Sequence, residues 1–171
     1  MAAKESPWML SSLFLIGSGV LLIGVGFYFL FLRPSLLPED IRYMNLTPAE
    51  WQSIGSRLGA WLTHVFRVMG GYITATGVLA VALAITSFRQ HHPIAAVGAM
   101  LGGAASIGWM AAVNFMINSD FKWLLLGMAL LWACSLLLFV WEVAALAKRG
   151  SPGGPGDKKQ VRPKFISTLS D

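Results

Sequence analysis

Residues 8–32 form a run of 25 residues without a charged side chain, and this run constrains the fold more than any other stretch. As an α-helix the run is about 37 Å long, which exceeds the hydrocarbon layer of a bilayer at about 30 Å. A cleaved signal peptide has a shorter apolar core followed by small residues, whereas this run ends in bulky side chains and Arg33-Pro34. The run is therefore predicted to be an uncleaved first membrane span.

Three further apolar runs follow, at about residues 58–88, 94–117 and 121–147. The composition agrees with lipid as the main solvent, because 12% of the residues are charged, whereas soluble domains have about 25%. The sequence predicts an all-α fold, a four-helix transmembrane bundle over residues 1–148. Residues 149–171 are rich in Gly, Pro and Lys, and they are predicted to form a flexible basic cytoplasmic tail.

The polar connection between the first two runs contains two helix-start signals. Pro38-Glu39-Asp40 places acidic side chains near the positive end of a helix dipole. Thr47-Pro48-Ala49-Glu50 matches a capping box with proline at the first helical position. We therefore expect a short interfacial helical segment between spans 1 and 2, with the second signal leading into span 2.

Lysine and arginine are distributed unequally between the two ends of the predicted bundle. Eight of them lie on the side that holds both termini, and four lie on the opposite side. Because cytoplasmic segments carry the excess of positive residues, both termini are predicted to be cytoplasmic. The basic residues cluster at span ends and in the tail rather than on one face, which argues against a nucleic-acid partner. Membrane lipids are the expected partners.

His64 and Arg67 interrupt the second run, and they are three residues apart, so both lie on one helical face. An Arg at mid-bilayer costs roughly 2.5–3.5 kcal/mol, so such side chains usually face a partner or a wet cavity. The predicted topology places three polar residues of the span 3 end at a similar depth: Asn114, Asn118 and Asp120. Two readings stay open. The cluster either binds an anion such as a lipid phosphate, with His64 moving a proton, or it pins the loop to the bundle.

Small residues recur every four positions in span 3, at Gly98, Gly102 and Ser106. This small-xxx-small spacing predicts a face for close contact with another helix.

The sequence offers no residue set for catalysis or for metal binding. The single cysteine, Cys134, excludes an intramolecular disulfide, and His91 and His92 are adjacent without other ligands nearby. No carboxylate or nucleophile accompanies His64 in the sequence. We therefore predict no catalytic residue, no metal site and no cofactor.

Three residues in or near spans 3 and 4 are interpreted as structural. Glu142 lies near the end of span 4 and is interpreted as half of an interfacial ion pair with Arg89 or Lys148. Trp109 and Trp132 lie deeper in their spans and are interpreted as core residues.

Three runs carry a resemblance to a known group of proteins: LLPEDIRYMNLTPAEW, HVFRVMGGYITATGVL and SIGWMAAVNFMINSDFKWLLLGMALLW. Across roughly residues 36–133 they resemble bacterial four-span membrane proteins of a family with no established activity. The resemblance implies the bacterial inner membrane. The architecture is also similar to the DoxX-like four-helix proteins, although no motif carries over a redox role.

The sequence supports two hypotheses for the function. The first is a non-catalytic accessory or assembly subunit that packs against a larger membrane complex or forms a homo-oligomer. The second is an outer-leaflet lipid-binding protein or membrane enzyme that uses a pocket formed by His64, Arg67 and Asn114. A channel or transporter formed by oligomers is a weaker third, because the spans contain little buried charge.

Overall fold

The computed structural model describes residues 9–150, except for the side chains at positions 48, 51, 54–56 and 150. The regular structure in this range is helical throughout. The helices are α1 Leu10–Phe27, α2 Pro38–Met44, α3 Pro48–Leu83, α4 Pro93–Gly103, α5 Trp109–Met116 and α6 Lys122–Gly150. Wider π-helical turns extend α1 through Tyr28–Leu32, extend α3 through Ala84–Phe88, and join α4 to α5 through Ala104–Gly108. Residues 151–171 of the predicted tail lie outside the described part.

Four helical stretches are long and apolar enough to cross a membrane. They are Leu10–Leu32, Arg57–Phe88, Pro93–Met116 and Lys122–Arg149, and we call them spans 1 to 4. The predicted all-α fold with four membrane-spanning helices is confirmed.

Both predicted helix starts in the connection form. The side chain of Glu50 accepts hydrogen bonds from the Thr47 backbone N–H (2.8 Å) and hydroxyl (2.7 Å), and the Glu50 N–H donates to that hydroxyl. The carboxylate of Asp40 accepts a hydrogen bond from the Leu37 N–H at 2.9 Å. Each carboxylate thus pairs a backbone N–H at a helix start, which would otherwise lack an intrahelical acceptor.

Span 1 lies between spans 2 and 4, and span 3 packs mainly on span 4. Glycines allow α1 and α3 to approach closely: a Cβ added at Gly77 would lie 2.6 Å from the Gly19 carbonyl oxygen, and one at Gly26 would lie 2.9 Å from that of Gly70. The second half of span 3 has no comparable contact with α3. A gap therefore separates these two helices in that half of the bundle.

The bundle has two distinct ends. The terminal end holds the start of α1, the end of α6 and the turn between α3 and α4. The loop end holds α2 and the turn between α5 and α6. The gap between α3 and span 3 lies toward the loop end, because the contact between these spans comes from α4, near the terminal end.

Candidate functional site

A half-open groove of about 930 Å³ occupies the gap between α3 and the second half of span 3. Small-molecule sites have volumes of roughly 300–1,000 Å³, so the groove is large enough for a ligand. Spans 1 and 4, which pack against each other, form its back wall with Leu22, Leu125 and Met128. The side walls include Met69, Tyr72 and Thr76 on α3 and Trp109, Met110 and Val113 on α5.

The mouth of the groove lies between two of the membrane-spanning stretches. Tyr72 and Trp109 line opposite walls and are both exposed, and each lies well inside a membrane-spanning stretch. Trp109 is 67% exposed, so its interpretation as a core residue was wrong, whereas Trp132 is buried as predicted and donates to the Ala99 carbonyl.

The apolar part of the groove is about as long as one leaflet is thick. Its α3 wall runs from Phe66 to Thr76, which is about 15 Å at 1.5 Å per residue. The hydrocarbon layer is about 30 Å thick in total. The apolar α3 wall is therefore about half as long as the hydrocarbon layer is thick.

Arg33 closes the groove at the loop end, and its charge is already compensated. Its side chain is 7% exposed and forms an ion pair with Asp40, with 3.0 Å between Nη2 and Oδ2. The guanidinium carbon lies 3.4 Å from the centre of the Phe66 ring, a cation–π arrangement. Nη1 donates to the Pro34 carbonyl oxygen at 3.2 Å, and Nε is buried without an acceptor among the described residues.

Glu39 lies beside this pair and lines the same groove, but its carboxylate has few partners. Glu39 is 3% exposed. Its one hydrogen bond among the described residues comes from the Ser119 hydroxyl, at 3.4 Å from Oε1. That distance is long, since O–H···O bonds typically measure about 2.5–3.0 Å. The Ser119 hydroxyl oxygen also accepts from the Phe121 N–H at 3.1 Å.

The structure does not join the residues of the predicted polar cluster into one site. The side chains of His64 and Arg67 are exposed, form no hydrogen bond or ion pair within residues 9–150, and do not line the groove. Asn114 lines the groove, but its amide donates to the Met110 carbonyl of its own helix at 2.9 Å. A functional role for His64 and Arg67 stays a prediction.

The other two members of that cluster form surface contacts at the loop end. Asp120 pairs with Arg42 at 2.8 Å, and both side chains are exposed. Asn118 has a positive φ of 51° and accepts a hydrogen bond from Lys122. Both side chains therefore lie at the surface of the loop end and not inside the groove.

The glycines of the predicted packing stripe contact no other helix within residues 9–150. A Cβ added at Gly98 or Gly102 would meet nothing within 4 Å among the described residues. Ser106 donates to the Gly102 carbonyl at 2.5 Å and lines the groove. The helix contact that the stripe predicts therefore needs a second molecule, and it stays a prediction.

A second buried carboxylate, Glu142, lies at the terminal end, and sequence reasoning missed its role. It is 7% exposed and pairs with His91, which the prediction did not name as its partner. Its oxygens accept from the Ser11 N–H (3.1 Å) and the Ser11 hydroxyl (2.5 Å), and one lies 3.1 Å from His91 Nε2. The partner residues are 131 and 51 positions away in the sequence, so no local spacing signals this cluster.

Sequence reasoning also missed Arg33, Glu39 and Asp40 as groove residues. The available signal was Pro38-Glu39-Asp40, which indicated the start of α2 but not that α2 lies against Ser119. Among the described residues, no group of three or more His, Cys, Asp or Glu side chains is placed to hold a metal ion.

Comparison of the chain with protein-family models, with curated proteins and with solved structures finds no match. The resemblance to bacterial four-span proteins and to DoxX-like architecture stays a prediction.

Proposed function

We propose that this integral membrane protein binds a single lipid-like amphiphile from the side. A hydrocarbon chain lies in the groove between α3 and α5, and its headgroup contacts Arg33, Glu39 and Asp40. The observation that carries the proposal is a half-open apolar groove of about 930 Å³, one leaflet long, that ends at these three ionisable side chains. The positive-inside distribution supports placing the groove in the outer leaflet.

The headgroup rather than the chain determines which lipid is bound. A chain that leaves the bilayer for the groove exchanges one apolar surrounding for another, so little free energy is gained from apolar burial itself. Polar contacts at the loop end form in a water-poor site, where hydrogen bonds and charges have stronger effects than in water. Selection therefore depends on the side chains around Arg33.

Filling the groove tests the proposal. Ala105 lines the groove, and its neighbour Ala104 does not, although both lie in the same π-helical turn and both are exposed. Ala105→Trp should abolish lipid co-purification, and Ala104→Trp should leave it unchanged. Native mass spectrometry of protein extracted in mild detergent measures the bound lipid. Equal lipid binding by the wild type and both variants would contradict the proposal.

A polar pocket at His64 and Arg67 is the alternative lipid site. Arg67→Gln should leave the co-purified lipid unchanged, because that side chain does not line the groove. If Arg67→Gln loses the lipid and Ala105→Trp retains it, the lipid binds in the pocket predicted around His64 and not in the groove.

The second candidate function is that of an accessory or assembly subunit. The open space at Gly98 and Gly102 favours it, because a partner helix can approach the backbone there. Gly98→Leu with Gly102→Leu should leave the fold intact and release any co-purifying partner protein. Gly127→Leu is the matched control, since a Cβ at Gly127 also meets nothing within 4 Å but lies on α6. An unchanged complex in the double variant would eliminate the stripe as its interface.

A further inference from the structure

The polar end of the groove has an excess of negative charge when its side chains are ionised. Arg33 and Asp40 neutralise each other at 3.0 Å, and the Phe66 ring covers the guanidinium. Glu39 then contributes a carboxylate that faces no second cation among the groove-lining residues. An incoming headgroup with only an anionic phosphate would meet repulsion in this site rather than a free arginine.

Glu39 also has unused capacity to accept hydrogen bonds. A carboxylate offers about four lone-pair sites. Among the described residues the only donor to Glu39 is the Ser119 hydroxyl at 3.4 Å. Buried polar groups in native proteins are nearly always paired, because an unpaired acceptor loses the hydrogen bonds it would have in water. Glu39 is 3% exposed and lines the groove, so a donor on a bound molecule would complete its pairing.

We infer that the groove selects lipids whose headgroup donates hydrogen bonds to Glu39, and that it discriminates against headgroups with only an anionic phosphate. This inference rests on the proposed lipid-binding function and names its ligand class. Two kinds of headgroup share the required chemistry: a neutral hydroxyl group and a primary ammonium group. Both donate to a carboxylate, and neither requires Arg33 to leave Asp40.

Competition among three lipids with identical oleoyl chains tests the inference. The probes are dioleoylglycerol with a free hydroxyl, dioleoyl phosphatidylethanolamine with an ammonium group, and dioleoyl phosphatidylmethanol, whose headgroup has an anionic phosphate and no hydrogen-bond donor. Delipidated full-length protein is titrated with each, and native mass spectrometry reports the bound fraction. At least one of the first two should bind about tenfold more tightly than phosphatidylmethanol, the effect of one charge-assisted hydrogen bond. Whichever of these two lipids binds more tightly shows whether the preferred donor is a hydroxyl or an ammonium group.

Glu39→Gln separates the two donor types further. The amide oxygen of Gln still accepts a hydrogen bond from a hydroxyl, but the charge that attracts an ammonium group is removed. Ammonium binding should therefore fall about tenfold while hydroxyl binding stays within about twofold. Glu39→Asp retains the charge and should retain the order of preference, and Glu50→Gln, outside the groove, should change nothing.

The outcomes distinguish this inference from the function on which it rests. If phosphatidylmethanol binds as tightly as both donor lipids, or if Glu39→Ala, which removes the acceptor, alters the affinity of neither donor lipid, the headgroup inference is overturned. The groove function survives that result as long as Ala105→Trp still removes the lipid. If Ala105→Trp alters no binding, the groove function itself fails.

Discussion

Glu39 and Glu142 are both buried carboxylates, but they lie at opposite ends of the bundle and their surroundings differ. Glu142 accepts two hydrogen bonds from Ser11, at 3.1 and 2.5 Å, and pairs with His91 at 3.1 Å. Glu39 has the Ser119 hydroxyl at 3.4 Å and no other donor among the described residues. Two side chains of the same type and similar burial thus have very different numbers of partners.

This difference indicates that Glu142 has a structural role, whereas Glu39 can still accept hydrogen bonds from a ligand. Ser11 is the second residue of α1, so its N–H lacks an acceptor within the helix. Glu142 supplies that acceptor from α6, and His91 connects the same carboxylate to the turn between α3 and α4. The terminal end is closed by contacts within the chain. At the loop end Glu39 lacks such contacts among the described residues, and in the proposed function a bound molecule supplies them.

The largest expected effect is the loss of the Glu142 carboxylate. Glu142→Ala leaves two Ser11 donors and His91 without their partner, and removing one member of a buried pair costs about 3–5 kcal/mol. Glu39→Ala should cost less than about 1 kcal/mol, because it removes one long hydrogen bond. Denaturant titration of both variants in the same lipid-free detergent measures the free energy of unfolding. Equal losses would show that the two carboxylates have the same role.

The next effect in size is that of His91. Its φ is 56°, a left-handed conformation that Asn tolerates well. His91→Asn keeps that conformation but removes the imidazole from Glu142, and we expect a loss of about 1–2 kcal/mol in the free energy of unfolding. In a Glu142→Ala background the same change should cost little more, since the shared contact is already gone. Additive losses would mean that His91 acts independently of Glu142, and His92→Asn serves as the exposed control.

Local patterns predicted the helices, whereas the two carboxylate clusters depend on distant contacts. Long apolar runs predicted the four spans, and Thr47 and Glu50 formed the capping box that their spacing indicated. Ser119 and Glu39 are 80 residues apart. Nothing in the local pattern around Glu39 distinguishes a helix-start acid in water from one buried against the next turn.

The exposure of His64 and Arg67 has a physical reason that the sequence pattern concealed. Span 2 covers Arg57–Phe88, and its 32 residues extend about 48 Å as a helix, well beyond the hydrocarbon layer of about 30 Å. Both side chains lie within the first third of this helix, so they reach the interface without an internal partner. When an apolar run is longer than the membrane is thick, charged side chains near its ends can lie outside the hydrocarbon layer.

A smaller effect is expected when the net charge of Arg33, Glu39 and Asp40 at the loop end is changed from negative to positive. Glu39→Gln with Asp40→Asn leaves Arg33 as the unpaired charge, while the Asn oxygen still accepts from the Leu37 N–H. The variant should prefer dioleoyl phosphatidylmethanol by about tenfold over the donor lipid that the wild type binds more tightly, opposite to the wild type. The same lipid competition measures it. A preference that does not reverse would show that the acidic side chains do not determine headgroup selection.

The smallest effect is expected at Glu50. This residue allows the contribution of hydrogen bonding to stability to be distinguished from that of burial. Like Glu142, it accepts from the N–H and hydroxyl of one residue, here Thr47, but it is exposed. The backbone hydrogen bond from Thr47, and then its hydroxyl, lower the pKa of the Glu50 carboxyl. Its contribution to stability is therefore complete above its unfolded-state pKa and is lost as the pH falls through the lower folded-state pKa.

Acidification should accordingly loosen the first turn of α3 without unfolding the bundle. Hydrogen exchange of the amides at the start of α3 should accelerate at acidic pH, after correction for the intrinsic rate, while the amides around Glu142 stay protected. Glu50→Gln keeps an acceptor for Thr47 and removes the titrating group, so its exchange should not depend on pH in this way. If wild type and Glu50→Gln lose protection over the same pH range, the carboxylate is not the cause. A confined effect would show that burial, rather than the number of hydrogen bonds, makes Glu142 a determinant of stability.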